Sequence, residues 1–414
     1  MRGMDILQVI QRFLPRGEKP LLLLGFSGGG DSLALLHALL RCPVQLHLAH
    51  FDHGWRTESR DQAESFAQMA KELKIPFFTE RSRSPVLSED AARQERLAFF
   101  SKLYSNNPYT ALVLGHHGDD QAETVLKRAF EGAHLSSLGG MRPISTFEGM
   151  SVWRPLLGIS KQDIEHWLKK NQLQGIEDHT NKDERYLRAR MRGSLFPELE
   201  QHFGKGIKKS LMRIGKYAHE LSAYLEKRTA PYYSTLVEGP FGVMWDFSSF
   251  DYEPIEWRYV LKKFFGTLSE EVITCLMELL KGKVAGRKII LKEGPLLIDR
   301  GILFLPALEK PRWEVTLKPC IEAKSSHWKD LWQGRGQIGL PGEEFELIEA
   351  KKHLPYPGNS PIDKWWTAHK VPAFLRSAAP LVRHKGEVVG EFLTGKNKRG
   401  NCKFCLCIQV EKTR

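Results

Sequence analysis

The sequence predicts an α/β protein: an N-terminal open parallel sheet with helices on both faces, then a mainly helical stretch, then a small β-rich domain. Between residues 20 and 200, strand-like apolar runs alternate with runs of helical periodicity, as stacked βα units require. A glycine turn joins the first strand to the first helix of this series, which is where such sheets present their ligand loops. Beyond residue 311 the periodicity turns to two, and Gly, Pro and Trp become frequent.

The elements follow in order. Residues 1–16 interleave Arg and Asp with apolar residues, which suits an amphipathic helix and lacks the unbroken core of a signal peptide. "LLLLGF" (21–26) is a buried strand, and "LALLHALL" (33–40) belongs to a helix starting at Asp31 or Ser32. "VQLHLAHF" (44–51) alternates as a strand, 59–73 is a helix capped by Ser59, and "IPFFTE" (75–80) is again a strand. A helix is expected from Ser88 to 104, a fourth strand at 109–116, and a helix from Asp119 to about Phe130. From Phe203 to Pro306 the chain reads as mostly helical, closing on the strand-like runs "KIILKEG" and "GILFLPA". The expected domains are 1–205, 206–310 and 311–414.

A formal net charge of +12 over 414 residues is unevenly placed. Residues 182–216 hold 10 Lys and Arg against 4 Asp and Glu, and residues 311–414 hold 18 against 11, while the remainder is close to neutral. Two separated basic zones suit a long polyanion, and nucleic acid is the expected partner. No run approaches the roughly 20 apolar residues of a membrane span. Six cysteines are too few and too irregularly spaced for a disulfide framework, so a reducing cytoplasm is expected.

The sharpest motif is "FSGGGDS" (26–32). Three glycines let the backbone bend around a ligand, and the following helix start aims N–H groups and the hydroxyls of Ser27 and Ser32 at one spot, an anion cradle. Asp31 stands where a Walker A loop carries its lysine. A carboxylate beside polyphosphate needs an intervening cation, so Mg²⁺ between the phosphates and Asp31 is expected. Asp120 and Glu123 lie three apart on one helix face, so their carboxylates converge and can hold an ammonium group. His50, His53, His116 and His117 allow a second reading as zinc ligands with Asp120. Trp328, Trp332, Trp365 and Trp366 suit either base stacking or a small core. Cys402, Cys405 and Cys407 offer a metal only three ligands, with the last two on one strand face.

"SGGGDS" resembles the S-G-G-x-D-S loop of the N-type ATP pyrophosphatases, the PP-loop superfamily with a Rossmann-like sheet, which cleave ATP to AMP and pyrophosphate. With "HFDHGWR" (50–56), "EDAARQER" (89–96), "GHHGDDQAET" (115–124), "RPLL" (154–157) and "EDHTNKDERYLRARMR" (177–192), the chain resembles the tRNA(Ile)-lysidine synthetases over residues 20–200, and more weakly at the C-terminus. Ala189 replaces the family's Asn, and Trp55 its usual Leu.

The resemblance implies a carbon–nitrogen ligase that uses ATP and Mg²⁺ to adenylate the wobble cytidine of tRNA(Ile), then joins free lysine to it. It places Ser27, Gly28, Gly29, Gly30, Asp31, Ser32, His53 and Arg56 at ATP, and Arg93, Asp120 and Glu123 at lysine. Asp31, His116, His117 and Arg190 become the catalytic group. Arg185, Arg188, Arg192, Lys208, Lys209 and Arg376 face tRNA. The partners implied are tRNA(Ile), L-lysine and ATP without a membrane; a homodimer is left open. The competing readings are a tRNA cytidine thiolase and a tRNA-binding protein without catalysis.

Overall fold

A computed structural model describes all residues except 1–4, 55–58, 83–88, 177–186, 205, 267, 293, 308, 310, 320–325, 341, 357–359, 397–403 and 412–414. The chain divides into two compact units, Met1–Ala223 and Tyr224–Arg414.

The first unit is built on a six-stranded sheet. Its strands are β1 (Leu21–Gly25), β2 (Gln45–Asp52), β3 (Phe77–Arg81), β4 (Ala111–Val113), β5 (Ile144–Phe147) and β6 (Met150–Trp153), in the order β3-β2-β1-β4-β6-β5. All neighbours run parallel except the edge pair β5 and β6. Alternate residues of β1 feed opposite cores: Leu22 and Leu24 pack with Leu33, Leu36 and Trp167, whereas Leu23 packs with Phe99, Phe100 and Leu112. The helical partners come from α2 (Gly30–Leu39) and α6 (Lys161–Lys170) on one face and α4 (Glu89–Ser105) on the other, and Leu112 from the neighbouring β4. The parallel sheet with helices on both faces is therefore present, with one antiparallel edge that the sequence did not disclose.

The missed hairpin has a physical signature. Phe147 pairs with Met150 across Glu148 and Gly149, whose φ values are 46° and 81°. Positive φ at both central positions is the two-residue turn whose twist matches paired strands. The same X-Gly turn recurs at Arg300–Gly301 and Lys385–Gly386.

Helix α1 (Ile6–Phe13) precedes the sheet, and α3 (Ser59–Glu72) follows β2. Ser59 is the first residue of α3, and Ser88 lies outside the described residues. After β4 comes α5 (Gly118–Phe130). Later, α7 (Leu187–Arg190), a π-helical turn at Met191–Leu195 and α8 (Phe196–Phe203) follow one another directly, and α9 (Ile207–Tyr233) runs past the unit boundary.

In the second unit, α10 (Pro254–Phe265) and α11 (Glu270–Lys281) accompany an antiparallel sheet. It comprises β7 (Leu236–Gly239), β8 (Gly242–Asp246), β9 (Arg287–Leu291), β10 (Gly294–Asp299) and β11 (Ile302–Pro306), ordered β7-β8-β11-β10-β9. Two three-stranded antiparallel sheets follow, one of them pairing Arg312–Pro319 and Arg335–Leu340 with Phe404–Glu411. Phe241, Met244 and Phe304 share a core with Trp328, Trp332 and Trp366, so the expected boundary at 310/311 falls inside one packed body.

The tryptophans resolve toward the core: Trp328, Trp332 and Trp366 are 5%, 1% and 0% exposed. Arg376, placed against tRNA on sequence grounds, is also enclosed. It donates to the Val371 carbonyl, to Asp363 Oδ1 at 2.9 Å and to Thr367 Oγ1 at 2.8 Å. With all three of its nitrogens bonded inside the fold, Arg376 is a strut of this unit. Cys405 and Cys407 project from one strand face with sulfurs 3.7 Å apart, and Cys402 lies outside the described residues.

Candidate active site

The topology puts two loops side by side. From β1 the chain proceeds outward to β2 and β3, then crosses to β4 on β1's other flank, so the carboxyl ends of β1 and β4 open onto a common crevice. The loop after β1 is the glycine cradle, and the loop after β4 carries both histidines.

Gly28 adopts φ +79°, and a Cβ there would fall 2.2 Å from the Phe66 ring, so only glycine fits. Gly29 is extended and caps α2, which starts at Gly30, one or two residues before the expected Asp31 or Ser32. No side chain caps this helix, so its first N–H groups point into the crevice without an intrahelical acceptor. Ser32 Oγ donates to the Gly29 carbonyl at 2.9 Å and lies 3.2 Å from Ser27 Oγ, which places both hydroxyls beside those N–H groups.

The second loop presses on the first. A Cβ on Gly115 would stand 3.2 Å from the Ser32 nitrogen, so its absence lets His116 and His117 approach Asp31. His117 caps α5: its Nδ1 accepts from the Asp119 N–H at 3.2 Å, and its own N–H donates to Asp120 Oδ2 at 3.0 Å. An accepting Nδ1 puts the ring proton of the neutral tautomer on Nε2. Nε2 lies 3.7 Å from Asp31 Oδ2 and 3.5 Å from Asp120 Oδ2, bridging the cradle's acid and the acid pair of α5.

Asp120 and Glu123 are 7% and 3% exposed. Arg192 fills the space between them, donating through Nη2 to Asp120 Oδ1 at 2.7 Å and through Nε to Glu123 Oε1 at 2.5 Å. Assigned to tRNA from the sequence, Arg192 thus reaches inward from the π-helical turn, a distortion that re-aims side chains at functional sites. Burial alone would raise the Asp120 carboxyl, but His117, which also donates its backbone N–H, and Arg192 outweigh it and hold the group below its ordinary range. Burial raises Glu123, and Arg192 offsets this only in part. Burial drives His116 down to about 3, against the pull of Asp120, so its ring is neutral at physiological pH. Its Nδ1 is enclosed without a hydrogen-bond partner among the described residues.

Two further cations complete the cluster. Lys161 Nζ donates to Asp31 Oδ1 at 2.6 Å, and Lys208 Nζ donates to Asp119 Oδ2 at 2.7 Å. Lys208, another residue expected at tRNA, is therefore tied to the active-site helix, whereas Lys209 is exposed. Arg190 is exposed and Arg188 half-buried, near enough for its charge to depress His116 and Glu123. Arg93 is exposed on α4 and acts on Arg154, whose charge in turn reaches His116. His53 is lowered by burial and then by Arg96. Arg56 and Arg185 lie outside the described residues.

Among the described residues no group of three or more His, Cys, Asp or Glu side chains could hold a metal ion. His50, a candidate zinc ligand by sequence, turns its Nδ1 to the Phe26 carbonyl at 2.9 Å. Mg²⁺ held jointly by phosphates needs less: one or two carboxylates suffice, and Asp31, 27% exposed at the cradle's mouth, fits that donor set.

Comparison with known proteins agrees with this architecture. Residues 4–199 match the family model described as a PP-loop domain. A tRNA(Ile)-lysidine synthase of Protochlamydia amoebophila is 33% identical over 445 aligned residues, covering 99% of this chain and 97% of that protein. The chain belongs to the tRNA(Ile)-lysidine synthase family. Relatives of the same name from Chlamydia muridarum and Chlamydia felis are 40% identical over 54% and 34% identical over 67% of the chain, which covers 72% and 92% of them. Among solved structures, the U34-tRNA thiolase NcsA from Methanococcus maripaludis is 17% identical, with a TM-score of 0.43 over 52% of this chain and 78% of its own. ATP use follows from the PP-loop domain, and no helix among the described residues is long and apolar enough to cross a membrane.

Proposed function

We propose that the protein ligates free L-lysine to the wobble cytidine of a tRNA(Ile) with a CAU anticodon, forming lysidine in the cytoplasm. The observation that carries this reading is the joining of a phosphate cradle to a buried, cation-filled acid pair through one imidazole, His117. Such a site can hold the tail of ATP and a primary amine side by side.

In the first step the O2 of cytidine attacks the α-phosphorus and pyrophosphate leaves. The N–H groups at the start of α2 and the hydroxyls of Ser27 and Ser32 hold the departing phosphates. Mg²⁺, held by Asp31 together with phosphate oxygens, would neutralise their charge. In the second step the lysine ε-ammonium gives a proton to a carboxylate of the Asp120–Glu123 pair, the freed ε-amine attacks C2 of the adenylated base, and the C2–O bond breaks to release AMP. Asp120 and Glu123 bind the ε-ammonium in the position that Arg192 now fills, and Arg93 binds the α-carboxylate. His116 and His117 border the base, and Arg190 faces the reacting groups from the helical segment before α8. Arg188, Lys209 and the basic residues of 206–310 and 311–414 hold the tRNA backbone, which gives affinity without choosing sequence.

Incubating the pure protein with ATP, labelled lysine and total tRNA tests the reading. Label is expected in tRNA only when ATP is present. Label confined to free lysine, or tRNA modified only when a sulfur donor replaces lysine, would move the chain to another reaction.

A further inference from the structure

We propose that Lys161 is a phosphate-binding residue of this enzyme, supplying from α6 the cation that the glycine loop lacks. The inference rests on the ATP reading of the cradle and adds a residue to it.

Phosphate-binding loops of the Walker type place a lysine at the helix start, where it reaches the outer phosphates. Here Asp31 takes that place, leaving a cradle of N–H groups and hydroxyls with an acid at its rim. Lys161 restores the cation from a helix that begins 130 residues further along, with Nζ 2.6 Å from Asp31 Oδ1.

Its position is fixed from three sides. Ser160 caps α6 by accepting from the Asp163 N–H at 3.1 Å. The Lys161 N–H donates to Asp119 Oδ1 at 3.0 Å, anchoring the backbone to the helix that carries the acid pair. Further along the same segment, Leu168 packs against Gly30, and the Ile176 N–H donates to the Gly28 carbonyl at 3.0 Å. The base of the Lys161 side chain is therefore held against the cradle, while the side chain as a whole is 37% exposed and so accessible to a ligand.

Stability does not account for this placement. A lysine in the first turn opposes the positive end of its own helix, and a partly exposed ion pair contributes roughly 0–1 kcal/mol. A cation there has a clear use once a polyphosphate enters: it engages phosphate oxygens and frees Asp31 to take the metal. Arg192 bonds to the acid pair and Lys208 to Asp119, so of these three cations Lys161 is the one bonded to the cradle's own acid.

Calorimetric titration of the full-length protein with inorganic pyrophosphate and Mg²⁺ tests the assignment. Lys161→Met is expected to weaken pyrophosphate binding by about ten- to a hundredfold, the range for a lost charge-assisted hydrogen bond. Lys161→Arg should return it to within about threefold of the parent, since the charge is kept. Both variants should melt within about 4 °C of the parent, as a partly exposed pair predicts. Pyrophosphate binding that is unchanged in Lys161→Met overturns the role of Lys161 while leaving the cradle intact. A parent protein that binds no pyrophosphate overturns the ATP reading itself.

Discussion

Asp31→Asn is expected to lower AMP formation by about 10²- to 10³-fold while changing tRNA affinity by less than about threefold. The carboxylate stands at the cradle's rim between Lys161 and His117, where it is the residue suited to a phosphate-bound metal. Asparagine keeps its shape and removes its charge, so the loss reports on electrostatics at the departing pyrophosphate. On the proposed reading, affinity for tRNA comes from basic residues that pair with phosphates, so its dependence on salt should keep the same slope. Folding should be little disturbed, because Asp31 is 27% and Lys161 37% exposed and the pair is worth little to stability. Equal losses in AMP formation and tRNA binding would remove Asp31 from the role given to it.

Glu123→Gln should raise the lysine concentration needed for half-maximal rate by about ten- to a hundredfold and that for ATP by no more than about threefold. Glu123 is 3% exposed and receives two hydrogen bonds from Arg192, so its charge is one of two that define a pocket for a cation. On the proposed reading, an entering ε-ammonium displaces that guanidinium, and with one carboxylate neutralised the remaining attraction falls on Asp120 alone. Steady-state titration of each substrate separates the outcomes, since a larger change for ATP would assign Glu123 to the nucleotide.

What was legible in the sequence was local. Gly28 is dictated by a positive φ and an aromatic ring against its Cα, and Asp120 and Glu123 converge because they lie three apart on one helix. The parallel strands announced themselves as apolar runs because both of their faces are buried. Lys161 and Arg192 were not legible as site residues, because their partners lie 130 and 72 residues away and only the packed chain brings them together. The edge hairpin escaped because a half-exposed Ile144–Phe147 carries little apolar signal, although its Glu-Gly turn could have disclosed it. The tryptophans stayed undecided for another reason: interleaved with lysines they fit an RNA surface as well as a core, and composition cannot tell which way a ring points. Trp366 points inward, its Nε1 bonded to the fully buried Glu391 at 3.1 Å.

The central claim is that the cradle holds ATP so that pyrophosphate, not the terminal phosphate alone, departs. Resolving the products of α-labelled ATP after incubation with the protein, Mg²⁺, lysine and tRNA tests it most directly. AMP that accumulates when tRNA is present is the predicted result; ADP as the labelled product would contradict it.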